Sequence, residues 1–568
     1  MISASDMQPT NLRFSAPRIG RMAVPFLLAL LGINCGETYR PIAQPIPGPS
    51  PTPAPVGHVL ALAANGVLPG NPFLNSGSMG RIDVAGDSMV SVATAGLGPV
   101  HAALTTDGSR LYVANSGEDT VSVTPTASNP QGTTIDLVEL CPSNGCPVVP
   151  VFVTSSESNR MYVAGQGNGT ISVIDTTSNV VIKTFAVNPA FAGQPLPVPD
   201  VNSRPVALAE LPNSTKIYSL NQGTNSVSSI NTLDGSIAKV IPLGSAPVWA
   251  IASTDNAHVY VLDSGGTVSV IDTLTDAVVS SVSAASPGPF ENSLFYDSIF
   301  NRIYVSDANA ASPSVALFDI GTNGTLVAHN PSRATILAAP GSPCTSNPIP
   351  ASIVIIGDGS RAYVASYQTG NNQICTQATV IDTGTGQATK TIPLSQAPDN
   401  SPQTNCDKAR FRVFATSSVG GTNALFKVFV SQCDAGTVAV IDTFSSSSAV
   451  TPHPANWLEA WVPSAVSSFP SSQVAITAVS APQVKTCPTP SPVNYTYSLL
   501  NGSTLQAGMT VYISGMNAQA NDGAFVVSSA SASTFTVINS CPAPDQTAQN
   551  GIGLVIPPQN PVFLIAGP

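Results

Sequence analysis

Short apolar runs of about six residues recur along this chain, each closed by a small polar turn. In the clearest unit, Tyr162-Val163 is followed by Gly-Asn-Gly and then by Thr170-Ile171-Ser172-Val173-Ile174-Asp175-Thr176. A second copy runs from Tyr260-Val261 to Thr267-Val268-Ser269-Val270-Ile271-Asp272-Thr273. The anchor recurs at Leu62, Tyr112, Tyr162, Tyr218, Tyr260, Tyr304, Tyr363 and Phe429, at spacings of about 42 to 66 residues. Runs this short, rich in Val, Ile, Thr and Tyr and bounded by Gly, Asn and Asp, predict strands rather than helices. An earlier strand opens on Pro-Val at Pro99, Pro150, Pro205 and Pro247, and a later one follows the Ile-Asp-Thr turn, as in Val180 to Phe185. Four antiparallel strands per copy, repeated at this period, predict an all-β fold of radially arranged blades.

The repeat resembles that of the Tyr-Val-Thr-Asn β-propeller proteins of bacterial and archaeal surfaces. Leu111-Tyr112-Val113-Ala114-Asn115 and Gly436-Thr437-Val438-Ala439-Val440-Ile441-Asp442-Thr443 carry the likeness over roughly 57–450. It departs where Gly165, Asp263 and Asp307 replace the Asn, and the copy with Tyr218 is degenerate. The resemblance implies a propeller of seven or eight four-stranded blades and no shared catalytic motif. The repeated Tyr and Asp therefore read as packing and turn residues.

Interruptions of the repeat are one-sided. Turns between the first and second strands and between the third and fourth are tight throughout. Long insertions fall between the second and third strands (66–79, 367–377) and after the fourth (140–149, 189–204, 336–349, 396–408). In an antiparallel blade both insertion types emerge at one end, so one face is plain and the other elaborated, and loops on a rigid scaffold commonly carry function.

From about Asn456 the repeat gives way to a region of 456–568, read as a small barrel- or sandwich-like β module with strands at Val474–Val479, Met509–Ile513, Ala524–Ser528 and Thr534–Ile538. Pro561-Val562-Phe563-Leu564-Ile565 repeats the opening of Pro150-Val151-Phe152. Two readings stand: 561–568 returns to complete the first blade, which lacks its first strand, or it ends the C-terminal module.

Composition moves the picture outside the cytoplasm. Only 9% of the 568 residues are charged, the formal net charge is −11, and no basic stripe offers itself to phosphates. Arg13, Arg18 and Arg21 precede an apolar run from Met22 to Ile33 that is too short to span a bilayer, so 1–34 reads as an export signal. Leu31-Gly32-Ile33-Asn34-Cys35 resembles a bacterial lipobox, which implies lipidation of Cys35. Leu31 stands one position farther from the Cys than the pattern asks, and Asn34 is larger than its usual Gly or Ala. The stretch 35–56, with Pro at every second position from 45 to 55, predicts a polyproline II tether reaching roughly 60 Å at about 3.1 Å per residue. Anchoring in the bacterial envelope, on the outer membrane or its periplasmic side, is the expected location, with the lipid as the only membrane contact.

Of nine cysteines, eight remain after Cys35, an even number that suits disulfides in an exported chain. Their placement around the strands predicts Cys344–Cys375, Cys406–Cys433, Cys141–Cys146 and Cys487–Cys541. A zinc site has little to build on, since no CxxC pair occurs and His is scarce.

Catalytic motifs are missing: there is no Gly-x-Ser-x-Gly, His-Glu-x-x-His or P-loop, and the five His do not pair at ligand spacing. His258, beside Val259-Tyr260, reads as structural. The residue after each Pro-Val should approach the channel mouth: His101, Phe152, Ala207, Trp249, Glu291, Ser352 and Arg412. His101, Trp249, Glu291 and Arg412 are the candidate ligand-binding set. No catalytic residue, metal or cofactor is expected. The expected function is a non-enzymatic, monomeric scaffold that binds an envelope protein, peptide or polysaccharide through the elaborated face. The alternative is an extracytoplasmic propeller enzyme of lactonase-like or quinoprotein-dehydrogenase-like type.

Overall fold

The computed structural model describes residues 58–567, apart from short interruptions that include 66–75, 127–135, 142–146, 193–199, 400–405, 446–453, 464–471 and 482–490. The segments expected to be an export signal and a tether, with Cys35 between them, lie outside the described residues. Eight four-stranded antiparallel sheets and one closed six-stranded barrel account for the described strands. The fold is a β-propeller, numbered here as blades 1 to 8 with strands a to d outward from the axis. The a strands of successive blades touch one another around a closed ring.

Blade 1 is built from both ends of the chain. Its strand a is Gln559–Gly567, paired antiparallel with strand b, His58–Asn65, so that Phe563 faces Leu62 and Ile565 faces Leu60. In blade 2, by the same register, His101 faces Ala114, two residues past Tyr112. Leu60, not Leu62, therefore occupies the anchor position. Pairing the last strand with the first gives the innermost edge of blade 1 a partner that it would otherwise lack. Blade 8 comprises Val413–Ser417, Lys427–Gln432, Thr437–Asp442 and Trp457–Pro463. Its outer strand thus lies beyond the boundary drawn at 455, because Trp457 to Pro463 continue the antiparallel ladder of Thr437–Asp442.

The barrel spans Ser472–Ser480 to Gln546–Val555 and is inserted in the connection from blade 8 to blade 1. Ser491–Gly502 and Gln546–Val555, absent from the sequence expectation, complete its six strands. Alternate residues fill the interior, with Tyr495 stacked on Phe535 at 5.1 Å.

The repeated residues do three jobs. Tyr112, Tyr162, Tyr218, Tyr260, Tyr304 and Tyr363, with Phe429, are fully buried between blades. The repeated Asp closes the c–d turn: Asp175 Oδ1 accepts from the Thr177 and Ser178 backbone N–H groups at 3.0 and 2.8 Å, and Asp272 and Asp382 do likewise. The residue two before the Tyr ties one blade to the next. Arg110 donates to Thr176 O at 2.6 Å, Lys216 to Thr273 O at 2.7 Å, Arg302 to Thr383 O at 2.6 Å and Arg361 to Thr443 O at 2.5 Å. Tyr112, Tyr218 and Tyr363 add hydroxyl bonds to Asn179, Asp276 and Asn456 of the same turns. Those three acceptors have φ of 56, 50 and 58°, the left-handed region that Asn and Asp tolerate. One residue thus both shapes the turn and receives the neighbouring blade. His258 fills the corresponding place by packing over Gly324, whose lack of a Cβ makes the contact possible.

Candidate functional site

A β-bulge sets the channel-lining positions. Pro99 pairs with Asn115 but His101 with Ala114, so Val100 is the extra residue, and the same shift follows Pro150, Pro205, Pro247 and Pro350. Bulges re-aim a side chain, and here they turn the residue after Pro-Val toward the axis at the elaborated end. The corresponding residue pairs two positions past the Tyr or Phe anchor of its own blade. In blade 6 it is Ser293, whose carbonyl accepts from Ser306 N at 2.9 Å, and in blade 8 it is Phe414, opposite Ser431. The sequence reading placed Glu291 and Arg412 there, each two residues too early, because neither blade opens on Pro-Val. Glu291 lies outside the described residues.

Rings from five blades converge on the axis. His101 stacks on Phe152 at 3.9 Å and meets Phe563 at 4.4 Å, while Phe563 meets Phe414 at 4.5 Å. Trp249 lies edge-on to Phe152 at 6.0 Å and to Phe411 at 5.7 Å. Phe411 belongs to the connection from blade 7 to blade 8, not to a strand. Beside it Arg410 reaches across the channel, donating to Val206 O at 2.7 Å and to Val248 O at 2.5 Å on the inner strands of blades 4 and 5. Its guanidinium stacks 4.8 Å from the Trp249 ring. The segment 409–412 therefore plugs the channel mouth. Nothing in the sequence distinguishes Arg410 from its neighbours; its partners are 162 and 204 positions away.

Burial sets the protonation of the plug. It pulls Arg410 down to about 10, still cationic at neutral pH. Burial, and then the nearby Arg410 charge, hold His101 well below the usual histidine range. The neutral imidazole accepts at Nδ1 from Val153 N, 3.4 Å away. Ser293 and Ser352, smaller than the aromatic residues at this position in blades 1, 3, 5 and 8, border a void of about 10 Å³ against Trp249, Phe411 and Phe414, near the lower limit for one water.

Arg412 turns away from the axis. It forks onto Asp434 at 2.7 and 2.8 Å, reaches Asp399 at 3.4 Å and lies 5.3 Å from the Tyr367 ring. Two disulfides secure the same end. Cys406–Cys433 joins the plug segment to the b–c turn of blade 8, and Cys344–Cys375 ties the approach to blade 7 to its strand c. They point to an oxidising, extracytoplasmic environment. Cys141 is disulfide-bonded as well, with Cys146 outside the described residues, as are Cys487 and Cys541. The insertion 367–377 is not a loop: Arg361–Gly370 and Gln373–Asp382 run on as a hairpin about Asn371-Asn372, both at positive φ as a type I′ turn requires. Val201 and Leu337, 61% and 66% exposed, are apolar points on the d–a connections of this face.

A larger cavity, about 240 Å³, opens at the plain end between blades 2 and 3, lined by Thr105, Asp107, Arg110 and Arg160 among others. Both arginines there are engaged by the next blade. Among the described residues no three His, Cys, Asp or Glu gather as a metal site, and no helix is long and apolar enough to cross a membrane.

No family model matches the chain. It is similar to the seven-bladed β-propeller protein Rv1057 of Mycobacterium tuberculosis, 29% identical over 174 residues, which span 30% of this chain and 39% of that protein. Among solved structures, the dihydro-heme d1 dehydrogenase NirN aligns with a TM-score of 0.48 at 12% identity, over 75% of this chain and 80% of its own. A Bacteroides fragilis protein named as a candidate 6-phosphogluconolactonase aligns at 0.43 and 16%, over 62% and 98%. Hydrazine synthase of Kuenenia stuttgartiensis aligns at 0.39 and 19%, over 56% and 80%.

Proposed function

We propose that this chain is an exported propeller of the Tyr-Val-Thr-Asn type, lipid-anchored through Cys35, that acts as a binding scaffold through its elaborated face. The observation that carries the reading is the sealed mouth. Arg410 and Phe411 fill the place where a propeller would admit a small ligand, and they are held by hydrogen bonds, ring contacts and a disulfide. What this end offers to a partner is therefore surface: the hairpin around Asn371-Asn372, the connection through Val201 and the segment bearing Leu337. A rigid, pre-formed surface loses little entropy on binding. An envelope protein, peptide or polysaccharide fits such a surface, and the Pro-rich tether would give it reach.

The test compares recovery of envelope components by the full chain and by a variant whose 189–204 and 367–377 segments are shortened to tight turns. Loss of partners from the variant is expected; equal recovery overturns the face assignment. Metal analysis of the purified protein addresses the non-enzymatic part, and a stoichiometric bound ion would overturn it.

A further inference from the structure

The junction of blade 8 with blade 1 differs from the others. Lys427 stands where Arg110, Lys216, Arg302 and Arg361 stand, at the start of strand b and two residues before the buried Phe429. Those cations donate to a backbone carbonyl of the next c–d turn. Lys427 instead meets two carboxyl groups: Asp87 Oδ2 of the c–d turn of blade 1 at 2.5 Å, and Glu459 Oε2 on strand d of its own blade at 2.7 Å. The side chains of Lys427 and Asp87 are 4% and 12% exposed, and Glu459 opens to solvent at 32%. Asp87 Oδ1 is buried and has no hydrogen-bond partner.

Leaving a carboxylate oxygen dry and unpaired is costly, and an ammonium sealed beside it gains only if both charges stay well paired. The neutral pair, amine and carboxylic acid, suits such a pocket better than it suits water. Burial, with the neighbouring Glu459 carboxyl, pushes Asp87 up to about 7 against the pull of Lys427, so its protonated form is accessible near neutral pH. Burial lowers Lys427, but its hydrogen bonds to Asp87 and Glu459 outweigh that and raise it, so the free amine arises only by transfer of its proton within this cluster.

The geometry points to an intramolecular isopeptide bond between Lys427 Nζ and Asp87 Cγ, formed with Glu459 as proton relay. Lys427 Nζ donates to Asp87 Oδ2 at a heavy-atom distance of 2.5 Å, so its proton can pass along that hydrogen bond to the carboxylate. The freed amine attacks Cγ, and Nζ–Cγ forms as the carbonyl opens to a tetrahedral intermediate. Glu459 takes the second amine proton and returns it to the departing hydroxyl. The C–O bond breaks, one water leaves and Glu459 ends as it began. Ammonium and carboxylate become amide and water, with no oxidant or co-reactant. The half-open position of Glu459 gives the water an exit. Closure by Gln559–Gly567 is non-covalent, and this amide would lock the same junction across 340 positions of sequence.

The experiment is peptide mass mapping of the full chain after purification, reduction, alkylation and digestion. The expected product is one branched species joining the Asp87 and Lys427 segments, lighter than their sum by about 18 Da for the lost water. Recovery of the two segments only as separate linear peptides overturns the bond and leaves an ion pair. In Glu459→Gln the branched species should fall at least tenfold while the protein still folds, as circular dichroism will report. Undiminished branching in that variant overturns the role given to Glu459.

Discussion

Replacing Phe563 with alanine perturbs the ring where its two termini meet. Phe563 is wholly buried, its ring 4.4 Å from His101 and 4.5 Å from Phe414, and its backbone pairs with Leu62. Truncation of a buried Phe costs about 3–5 kcal/mol, through the lost transfer free energy and the cavity left behind. Each close ring pair is worth about 0.5–1.5 kcal/mol beyond area burial. The rigid surroundings, inner strands from blades 1, 2 and 8, allow little collapse, which puts the expected loss near the upper end. Urea unfolding followed by tryptophan emission measures it. Phe300→Ala serves as the control, since that ring is 44% exposed on an a–b turn and its removal should cost under about 1 kcal/mol. If Phe563→Ala costs no more than Phe300→Ala, the C-terminal strand is not holding the ring closed.

Arg412→Ala leaves the Asp434 carboxylate buried without its cation and should cost about 3–5 kcal/mol. Burial raises the Asp434 pKa in the folded state, so its ionisation cost is absent at acid pH and complete above the folded value. The loss should therefore be larger at about pH 8 than at about pH 5 in urea titrations at the two pH values. Asp297 is likewise raised by burial while accepting from Ile299 N at 2.9 Å. Asp297→Asn keeps that acceptor, so its stability relative to wild type should climb as pH rises from about 4, the ordinary carboxylate value, to the raised folded value; a flat difference across that range refutes the burial argument. Tyr218→Phe removes the hydroxyl bond to Asp276 while Lys216 still holds that carboxylate, and calorimetry should register a loss of about 1–3 kcal/mol. Replacing Cys406 and Cys433 together by Ala opens a closure of 27 positions and should cost about 3–4 kcal/mol, with Trp249 emission shifting red as Phe411 leaves it.

Much of the fold is legible in single strands because the information is local. The alternation in Thr170 to Asp175 and the Asx turn at Asp175 depend only on the pleat and on neighbours a few residues away. The same holds for the two-sidedness of the insertions, from which the Cys344–Cys375 and Cys406–Cys433 pairings could be read. The two-residue errors in blades 6 and 8 have a local cause too: neither blade opens on Pro-Val and their inner strands pair without a bulge, so nothing in the sequence marks Ser293 and Phe414.

What tertiary structure alone decided is long-range. Pro561 to Ile565 is by sequence equally compatible with a module edge or a blade, and its pairing with His58–Asn65, about 500 positions away, is part of ring closure itself. Arg410 belongs to a polar connection by sequence, yet it finds carbonyls on blades 4 and 5 because the ring brings their inner strands to within a side chain's reach of the axis. Lys427 matches Arg110, Lys216, Arg302 and Arg361 of other repeats, and only the meeting of last blade with first gives it Asp87. A strand's pattern records which of its faces will be buried; which partner buries it is settled by closure.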